Sequence, residues 1–393
     1  NIKFLVNGKA SSFFSSDVST ALQMIPASEI KTVEVITSPG AKYDGEGDAG
    51  IVNIITKRTI IDGYQATLNG MGGSKTVRGN FNLKIGKGKF GLSTRAGTFG
   101  SLPGRIGNHY YKRTDWDSLV NGLPYNSNTL IQEGTSESFY QGYRGSISAF
   151  YNPNAFNSFN SSISLRGRTK PSLTEDSIKY THGTYEDSLS YNSYYSSNKT
   201  DRTINIEWST DYTKKFDEND EKEVTIAFQI GGDINDSDTD IKEGNINFNN
   251  LNDERVLEQT FQIDYTHPFG KSISNKKKSN TNQSKGFSRG GRKGNLKKKQ
   301  SKSNIIEIGG KVINRDRQIT YSNKINTILT PQGINEFNYN QIVAASYISS
   351  EFNLKYGIGL KAGLRHEFTQ ASGDWKNDPP RKFTTPYQDI LPS

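Results

Sequence analysis

Residues able to bind a ligand are concentrated in one polar stretch between positions 100 and 139. Aromatic rings stand there beside positive charges, and this combination can stack on flat ligands or bind acidic ones. The same pattern also fits an interfacial aromatic girdle followed by solvated loop residues. Both interpretations stay open. The candidate ligand-binding residues are Arg105, His109, Tyr110, Tyr111, Arg113 and Trp116.

The sequence gives little support to catalysis or metal binding. The chain has no cysteine, so disulfides and cysteine-based metal sites are excluded. Its four histidines are scattered and form no metal-ligand motif. No nucleophile, base and acid stand in a recognisable arrangement. We therefore expect no enzymatic activity, no cofactor and no metal site.

Two short motifs invite a chemical interpretation but have a simpler one. Gly86–Gly91 spells G-x-G-x-x-G, yet a dinucleotide site needs a helix after it, and here a strand-like pattern resumes at once. We predict a tight turn. An acidic cluster at 233–240 is no EF-hand, because the sixth position counted from Asp236 is Ile241 and not glycine. A solvated loop is favoured, with calcium binding of another kind left open. The cluster consists of Asp233, Asp236, Asp238 and Asp240.

Alternation of apolar and polar residues from Gly63 onward is the main structural signal. A period of two places one set of side chains on each face of a strand. In a soluble sandwich the apolar set would be the core, whereas in a membrane barrel it faces lipid and the polar set lines the lumen. The predicted lipid-facing residues are Phe81, Leu83, Ile85, Ile204, Ile206, Trp208, Ile226, Phe228, Leu360 and Leu364. The predicted lumen-facing residues are Asn82, Lys84, Asn205, Glu207, Lys361 and Arg365.

The lengths of the connections favour the membrane interpretation. Short turns alternate with long polar segments near 100–139, 169–200 and 232–254, and outer-membrane barrels have short turns on one side and long loops on the other. The pattern predicts about eleven strands of the length that a tilted membrane strand needs. They lie near 63–73, 78–86, 89–99, 140–151, 158–168, 202–215, 223–232, 255–266, 304–316, 339–352 and 357–370.

Composition agrees with this fold. Only 32% of the residues are hydrophobic, and no apolar run reaches the roughly 18 residues of a transmembrane helix. The aromatic content of 11% suits interfacial girdles. A helical membrane protein is therefore excluded, and a β-barrel is not.

Positive charges on the predicted lumen face could attract an anionic ligand. Pairing with lumen carboxylates is the favoured interpretation, with Glu207, Glu307 and Glu367 as the candidates. The cations concerned are Arg95, Arg166, Arg168, Lys311 and Arg365.

The net charge of +9 comes from one insert, because the other segments hold 37 basic against 40 acidic residues. We predict that residues 271–303 are disordered, since their composition lacks the apolar area that ordering requires. Strand parity places them on the periplasmic side. They would attract anionic partners or lipid head groups, and we expect no specific nucleic-acid binding.

The first 58 residues have a different pattern. Asp17–Ile25 is a candidate amphipathic helix that Pro26 ends, and Val33–Thr37 and Gly50–Lys57 read as strands. A turn-rich connector, Ser38–Gly47, lies between these strands. The pattern predicts a small α+β unit.

Five motifs in this unit resemble a known family. Their order and spacing closely resemble the C-terminal half of the plug of TonB-dependent receptors, in the form common in Bacteroidota. The barrel part resembles the family's outer-membrane β-barrel domain more loosely. The plug motifs are Phe4–Lys9, Ala21–Ile30, Val33–Pro39, Tyr43–Gly47 and Gly50–Lys57. The barrel motifs are Asp264–Phe269, Ile308–Lys311 and Tyr387–Ser393.

The resemblance implies an antiparallel transmembrane β-barrel of about 22 strands, closed by a plug. The chain would then be a piece of it, with the last part of the plug at 1–58 and the first half of the barrel at 59–393. Eleven strands leave two open edges, and backbone edges are not tolerated in lipid. We expect an open sheet with the plug remnant against its polar face, unable to form a stable barrel alone.

The expected function is that of a TonB-dependent receptor in the Gram-negative outer membrane, importing a scarce ligand of unknown identity. The alternative is a barrel with a structural or surface-protein-anchoring role and no active transport. Expected partners are outer-membrane lipid, the TonB complex through a segment missing here, and a surface lipoprotein as a further candidate.

Overall fold

The computed structural model describes residues 3–6, 9–10, 30–37, 40–43, 50–56, 62–102, 107–120, 123–183, 188–216, 222–270, 304–326, 328–353, 359–376 and 381–393. Structural statements below concern these residues. The predicted helix Asp17–Ile25, the insert 271–303 and the candidate Arg105 lie outside them.

The N-terminal unit, residues 3–56, contains a four-stranded sheet in the order β2-β1-β4-β3. β1 runs parallel to β4, and the other pairs are antiparallel. Ile51 and Ile54 are buried in this sheet because β4 is its central, β-branched strand. The two predicted strands are thereby confirmed. The strands are β1 (Lys3–Val6), β2 (Lys9–Ala10), β3 (Ile30–Ile36) and β4 (Ile51–Thr56).

A second, antiparallel sheet of 14 strands holds most of the chain. Twelve strands follow one another in chain order, and the β8–β9 hairpin joins the sheet through β11. The described edges of the path are β5 and β18, as the open-sheet prediction requires. The strands are β5 (Gly63–Gly72), β6 (Thr76–Lys87), β7 (Phe90–Ser101), β8 (Gly107–Val120), β9 (Leu123–Ser138), β10 (Gln141–Asn154), β11 (Asn157–Gly183), β12 (Ser188–Lys215), β13 (Glu223–Glu243), β14 (Ile246–Phe269), β15 (Asn304–Ile325), β16 (Ile328–Asn353), β17 (Gly359–Trp375) and β18 (Arg381–Pro392).

All eleven predicted strands are present, but three details of the prediction are wrong. Residues 381–392 form a further strand, β18, paired with β17. The predicted loops at 169–200 and 232–254 lie mostly within strands, so that β11 has 27 residues and β12 has 28. Much of the predicted loop at 100–139 forms the β8–β9 hairpin. Their Ser, Thr and Tyr residues suit β-strands, but both faces are polar, so no apolar alternation reveals these strands in the sequence.

The two faces of the large sheet have the predicted chemistry. Leu364 is 49% exposed on one face, whereas its neighbour Arg365 is 1% exposed on the other. We call these the apolar face and the polar face, and period-two alternation extends the assignment along each strand. Other residues that were predicted to face outward are likewise exposed, among them Phe81, Ile206 and Leu360.

An aromatic ladder crosses the apolar face near the short turns. Phe90 stacks on Tyr151 with ring centroids 4.4 Å apart, and Phe159 stacks on Tyr212 at 4.5 Å. Tyr151 and Phe159 connect the two pairs at 6.0 Å. Such a ladder is typical of an interfacial girdle, where the ring is apolar and a phenol can reach water.

The structure places the glycine motif at 86–91 in a turn and the acidic cluster at 233–240 on a strand. Gly88 sits in the turn between β6 and β7 with φ of 57°, a conformation that glycine adopts without strain. The acidic cluster lies on strand β13 and not in a loop, which corrects the prediction. Its Asp233 points to the polar face, where Asn205 donates a hydrogen bond of 2.7 Å to it, while Asp236, Asp238 and Asp240 have the opposite parity. Within the described segments, no helix is long and apolar enough to span a membrane.

Candidate functional site

Strand register arranges the polar face in rows that cross β14 to β17. One row, which we call the contact row, consists of Asp264, Gly309, Tyr347 and Arg365. Antiparallel partners on one face stand close enough for side chains to touch across strands. The row is therefore a continuous set of groups along the inside of the sheet.

Tyr347 lies across Gly309 and donates a hydrogen bond from its hydroxyl to Asp264. A Cβ at position 309 would fall inside the space of the Tyr347 ring. Glycine is thus required there so that a side chain on β16 can reach a carboxylate on β14.

Arg365 is buried, and its guanidinium has one partner on its own strand and one in the N-terminal unit. Its Nε donates to Glu367 Oε1 at 2.5 Å, and its Nη1 donates to the backbone carbonyl of Ala41 at 3.4 Å. A buried charge needs such partners because desolvation without them is costly. The predicted pairing of lumen cations with carboxylates is confirmed for this residue; Arg95, Arg166, Arg168 and Lys311 are likewise engaged by neighbouring groups.

The N-terminal unit contacts this row through its connector. Ala41 is buried, and Lys42 Nζ lies 3.7 Å from Asp264 Oδ2. A Cβ placed on Gly363, one position from the row along the polar face of β17, would lie 2.9 Å from Ala41 Cβ. Burial raises the pKa of the Tyr43 phenol, which keeps it a neutral donor. The connector therefore rests on the polar face, as predicted.

Further along the same strands, the polar face carries paired charges. Arg315 Nε donates to Glu258 at 2.7 Å, and its Nη1 donates to Gln341 at 3.1 Å. Two residues further along β15, on the same face, Arg317 Nε lies 2.5 Å from Glu254 Oε1. Bidentate or charge-assisted bonds of this kind fix the groups in place.

Beyond these pairs lies an aromatic group that we call the mouth shelf: Phe337, Tyr339, Trp375 and Phe383. The ring centroids of Phe337 and Trp375 are 4.3 Å apart, and those of Trp375 and Phe383 are 5.8 Å apart. Trp375 and Phe383 are each 36% exposed. The shelf lies on the polar face because Tyr339 is the register partner of Arg317, and Phe383 that of Gly373.

A second aromatic group lies on the long extension formed by β8, β9, β11 and β12. Its centre is Asn128, which is 1% exposed and accepts a hydrogen bond of 3.0 Å from the Tyr180 hydroxyl. His182 also hydrogen-bonds to the Asn128 side chain, and Trp116 packs 6.0 Å from Tyr180. The rings are thus held in fixed positions by one buried amide.

The structure divides the six predicted ligand-binding residues. Tyr110 and Trp116 lie on the polar face of the extension. A hydrogen bond to Asp176, aided by desolvation, raises the pKa of Tyr110 to about 12, so its phenol stays a donor. The other described candidates point the opposite way, with His109 3.6 Å from Glu133 and Arg113 2.9 Å from Asp115. Tyr111 shares their parity, and Arg105 lies outside the described residues.

The mouth shelf and the second aromatic group were not singled out from the sequence, apart from Trp116. The available signal was period two: Phe337 and Tyr339 share a face with Gln341, and Tyr180 shares one with Asp176. Across the described ranges, no group of three or more His, Asp or Glu side chains is arranged to hold a metal ion.

Comparison with known families gives one match, between residues 272–393 and the "Outer membrane protein beta-barrel family". No curated protein matches the sequence. The two-faced antiparallel sheet and the family match define an outer-membrane β-barrel protein. Its apolar face is the side that meets lipid, its polar face lines the lumen, and its location is the outer membrane.

Solved structures with similarity to the chain include three receptors. The ferric yersiniabactin uptake receptor FyuA from Yersinia pestis has 9% identity and a TM-score of 0.33, covering 99% of this chain and 70% of that chain. The siderophore receptor PirA from Pseudomonas aeruginosa has 11% identity and a TM-score of 0.23, covering 100% and 84%. The alcaligin receptor FauA from Bordetella pertussis has 9% identity and a TM-score of 0.24, covering 98% and 86%. Scores this low assign no function.

Proposed function

We propose that the chain forms part of a TonB-dependent outer-membrane receptor that imports a scarce ligand. In this proposal, residues 1–58 belong to a plug and residues 59–393 to the barrel wall, with a basic periplasmic insert at 271–303. The observation that carries the proposal is the seating of the connector at Gly40–Tyr43 on the lumen face, against Asp264 and Arg365.

A plug must be held and also released, and the contact row fits both requirements. Arg365 keeps Glu367 when the connector leaves, and Asp264 keeps the Tyr347 hydroxyl. Each buried charge keeps a side-chain partner after release, and the electrostatic loss is limited to the Ala41 carbonyl bond of Arg365 and the ion pair of Lys42. The ion pair of Lys42 with Asp264 is partly exposed and contributes at most about 1 kcal/mol.

Ligand capture would occur at the lumen face outside the contact row. Tyr110 and Trp116 are the predicted candidates that remain suited to it, because they share the face of the lumen. The opposite face of the extension carries His109, Tyr111 and Arg113. On that face they would contact another surface protein and not a ligand in the lumen.

The test uses the absence of cysteine from the chain. An Ala41→Cys variant carries a single thiol at a buried position of the connector. Cells with and without TonB are grown in the same medium and treated with a small biotin maleimide. We expect faster labelling in cells with TonB, because energised movement of the plug exposes the thiol.

A Leu189→Cys variant is the matched control, since Leu189 is exposed in the folded protein. It should label equally in both strains. Equal, slow labelling of Ala41→Cys with and without TonB would contradict import and favour a structural or anchoring role.

A further inference from the structure

A cavity of about 530 Å³, within the range of small-molecule sites, crosses five neighbouring strands from β14 to β18. On each strand its lining takes three consecutive residues, of which the middle one faces the lumen and the other two face outward. The lumen-facing residues two positions further along, such as Phe337 and Trp375, do not line it. The cavity therefore runs between two outward rows of side chains, and we call it the outer groove. The lining segments are Arg255–Leu257, Asp316–Gln318, Asn338–Asn340, Ser372–Asp374 and Lys382–Thr384.

The outer groove begins where the apolar band of the wall ends. Phe261 and Val312 are exposed register partners in an outward apolar row. The groove starts four positions further along the same strands, at Leu257 and Asp316, on the side away from the aromatic ladder. Four positions correspond to about 13 Å along a tilted strand, which takes the wall from hydrocarbon into the head-group layer. The groove is thus continuous with the lipid-facing wall and opens among lipid head groups.

The middle of the outer groove offers unused hydrogen-bonding groups. Gln318 and Asn338 are register partners, and neither side-chain amide has a hydrogen-bond partner among the residues that the structure describes. Asn340 beside them is held in place, because its amide donates to Asp316 at 2.6 Å and to Asn314 at 3.0 Å. Each amide carries two donor hydrogens and an acceptor oxygen. Two adjacent amides of this kind match the neighbouring hydroxyls of a sugar, which both donate and accept.

Exposed cations stand at both ends of the same row. The row that contains Gln318 begins at Arg255 and ends at Lys382, four strand spacings or about 19 Å away. Arg255 pairs with Asp253 at 3.3 Å, and its side chain is 66% exposed. Lys382 pairs with Asp374 at 3.1 Å, and its side chain is 74% exposed. Exposed pairs contribute little to stability, so a phosphate can take over either cation at small cost.

We propose that the outer groove binds the head group of a phosphorylated glycolipid of the outer leaflet. The sugar hydroxyls bond to the amides of Gln318 and Asn338. A phosphate binds the guanidinium of Arg255 or the ammonium of Lys382, and the acyl chains lie on the apolar face below. The assignment rests on the outer-membrane wall and is independent of the proposed import.

The experiment is native mass spectrometry of the full-length receptor, delipidated in detergent micelles and titrated with deep-rough lipopolysaccharide or with phosphatidylglycerol. The first lipid carries sugars and phosphates, whereas the second carries a phosphate and no sugar. We expect one lipopolysaccharide molecule to bind with a Kd at least tenfold lower than that of phosphatidylglycerol, because only the first lipid uses the amides.

The amide pair is tested by the double variant Gln318→Ala with Asn338→Ala. It should weaken lipopolysaccharide binding about tenfold, the effect of losing two hydrogen bonds, and leave phosphatidylglycerol binding unchanged. Arg255→Gln with Lys382→Gln should also weaken lipopolysaccharide binding about tenfold and reduce its salt dependence. Lys376→Gln is the matched control, since Lys376 is an exposed cation outside the groove that pairs with Glu336 at 2.9 Å. It should leave the affinity unchanged.

Heat-modifiable migration on unboiled gels shows whether each variant is folded. The single variants Gln318→Ala and Asn338→Ala, each expected to lose about threefold in affinity, replace the double variant if it does not fold. Lipopolysaccharide that binds no more tightly than phosphatidylglycerol would overturn the proposal, because the contact would then be that of any wall lipid. Unchanged affinity in the folded amide variants would overturn it as well, and so would an equal loss in Lys376→Gln.

Discussion

The contact row and the mouth shelf occupy the same two strands, β16 and β17, yet they have opposite properties. Tyr347 and Arg365 belong to the first, and Phe337 and Trp375 stand ten residues away on the same face, about 33 Å along the strand. Tyr347 and Arg365 of the contact row are buried, and the charges of the row have partners within the sheet. The shelf partly exposes the rings of Trp375 and Phe383, and the Arg317–Glu254 ion pair lies beside it on the same face. One alternating pattern therefore supports a contact surface for the connector at one level of the strands and a cluster of partly exposed rings at another.

Removing the buried charge of the contact row should have the largest effect. Arg365→Ala leaves Glu367 buried without its partner, and we expect a loss of about 3–5 kcal/mol in the free energy of unfolding. Urea titration of the protein in micelles measures it. Arg381→Ala, at the shelf end, is the control and should change the value by less than about 0.5 kcal/mol. Equal effects at both positions would mean that the two ends do not differ as described.

Filling the glycine of the contact row should have a smaller effect. Gly309→Ala forces Tyr347 away from Asp264, and overpacking of this kind costs about 1–3 kcal/mol. Gly310→Ala is matched, because its Cβ would meet nothing closer than the Ala345 carbonyl at 3.6 Å. Heat-modifiable migration on unboiled gels should shift to lower temperature for the first variant only. A normal gel shift for Gly309→Ala would disprove the Tyr347 contact.

The smallest effect is expected at the partly exposed connector pair. Lys42→Ala removes the ion pair with Asp264, which is worth less than about 1 kcal/mol and is screened by salt. Maleimide labelling of Ala41→Cys in purified protein should be slightly faster in the Lys42→Ala background at low salt. At high salt the two backgrounds should label alike. A large, salt-independent increase would mean that Lys42 has a further partner.

Much of the fold follows from the sequence because a strand shows its faces through alternation. Leu364 and Arg365 were assigned correctly because their difference in polarity is large and the period is two. The extensions of β11 and β12 could not be recognised in the same way. In residues 169–183 and 188–201, Ser, Thr and Tyr occupy both faces of the strands. Polarity then suggests a loop where the backbone forms a ladder.

The sites were harder to predict because they depend on register between distant strands. Glu367 was named as a partner for the lumen cations, and its bond to Arg365 is local, two residues along one strand. The mouth shelf joins Phe337, Trp375 and Phe383 through pairings that the sequence does not reveal. His109 and Trp116 were grouped by proximity in sequence, but their opposite parity separates them. Parity within a strand was available from the sequence once the stretch is recognised as a strand.

The most direct test is a disulfide between the connector and the wall. Ala41→Cys with Gly363→Cys places two thiols at positions whose Cβ atoms would be 2.9 Å apart, close enough for a bond after a small shift. Ala41→Cys with Ser349→Cys covers the case in which the crowded position 363 does not accept a side chain, because the Cβ atoms of Ala41 and Ser349 lie 2.9 and 3.1 Å from the same built Cβ on Gly363. We expect a reducible cross-link in the folded protein, seen as a changed migration on non-reducing gels, and none in any of the single variants. Absence of a cross-link in both pairs, with folded protein and free thiols, would show that the connector does not lie on the lumen face.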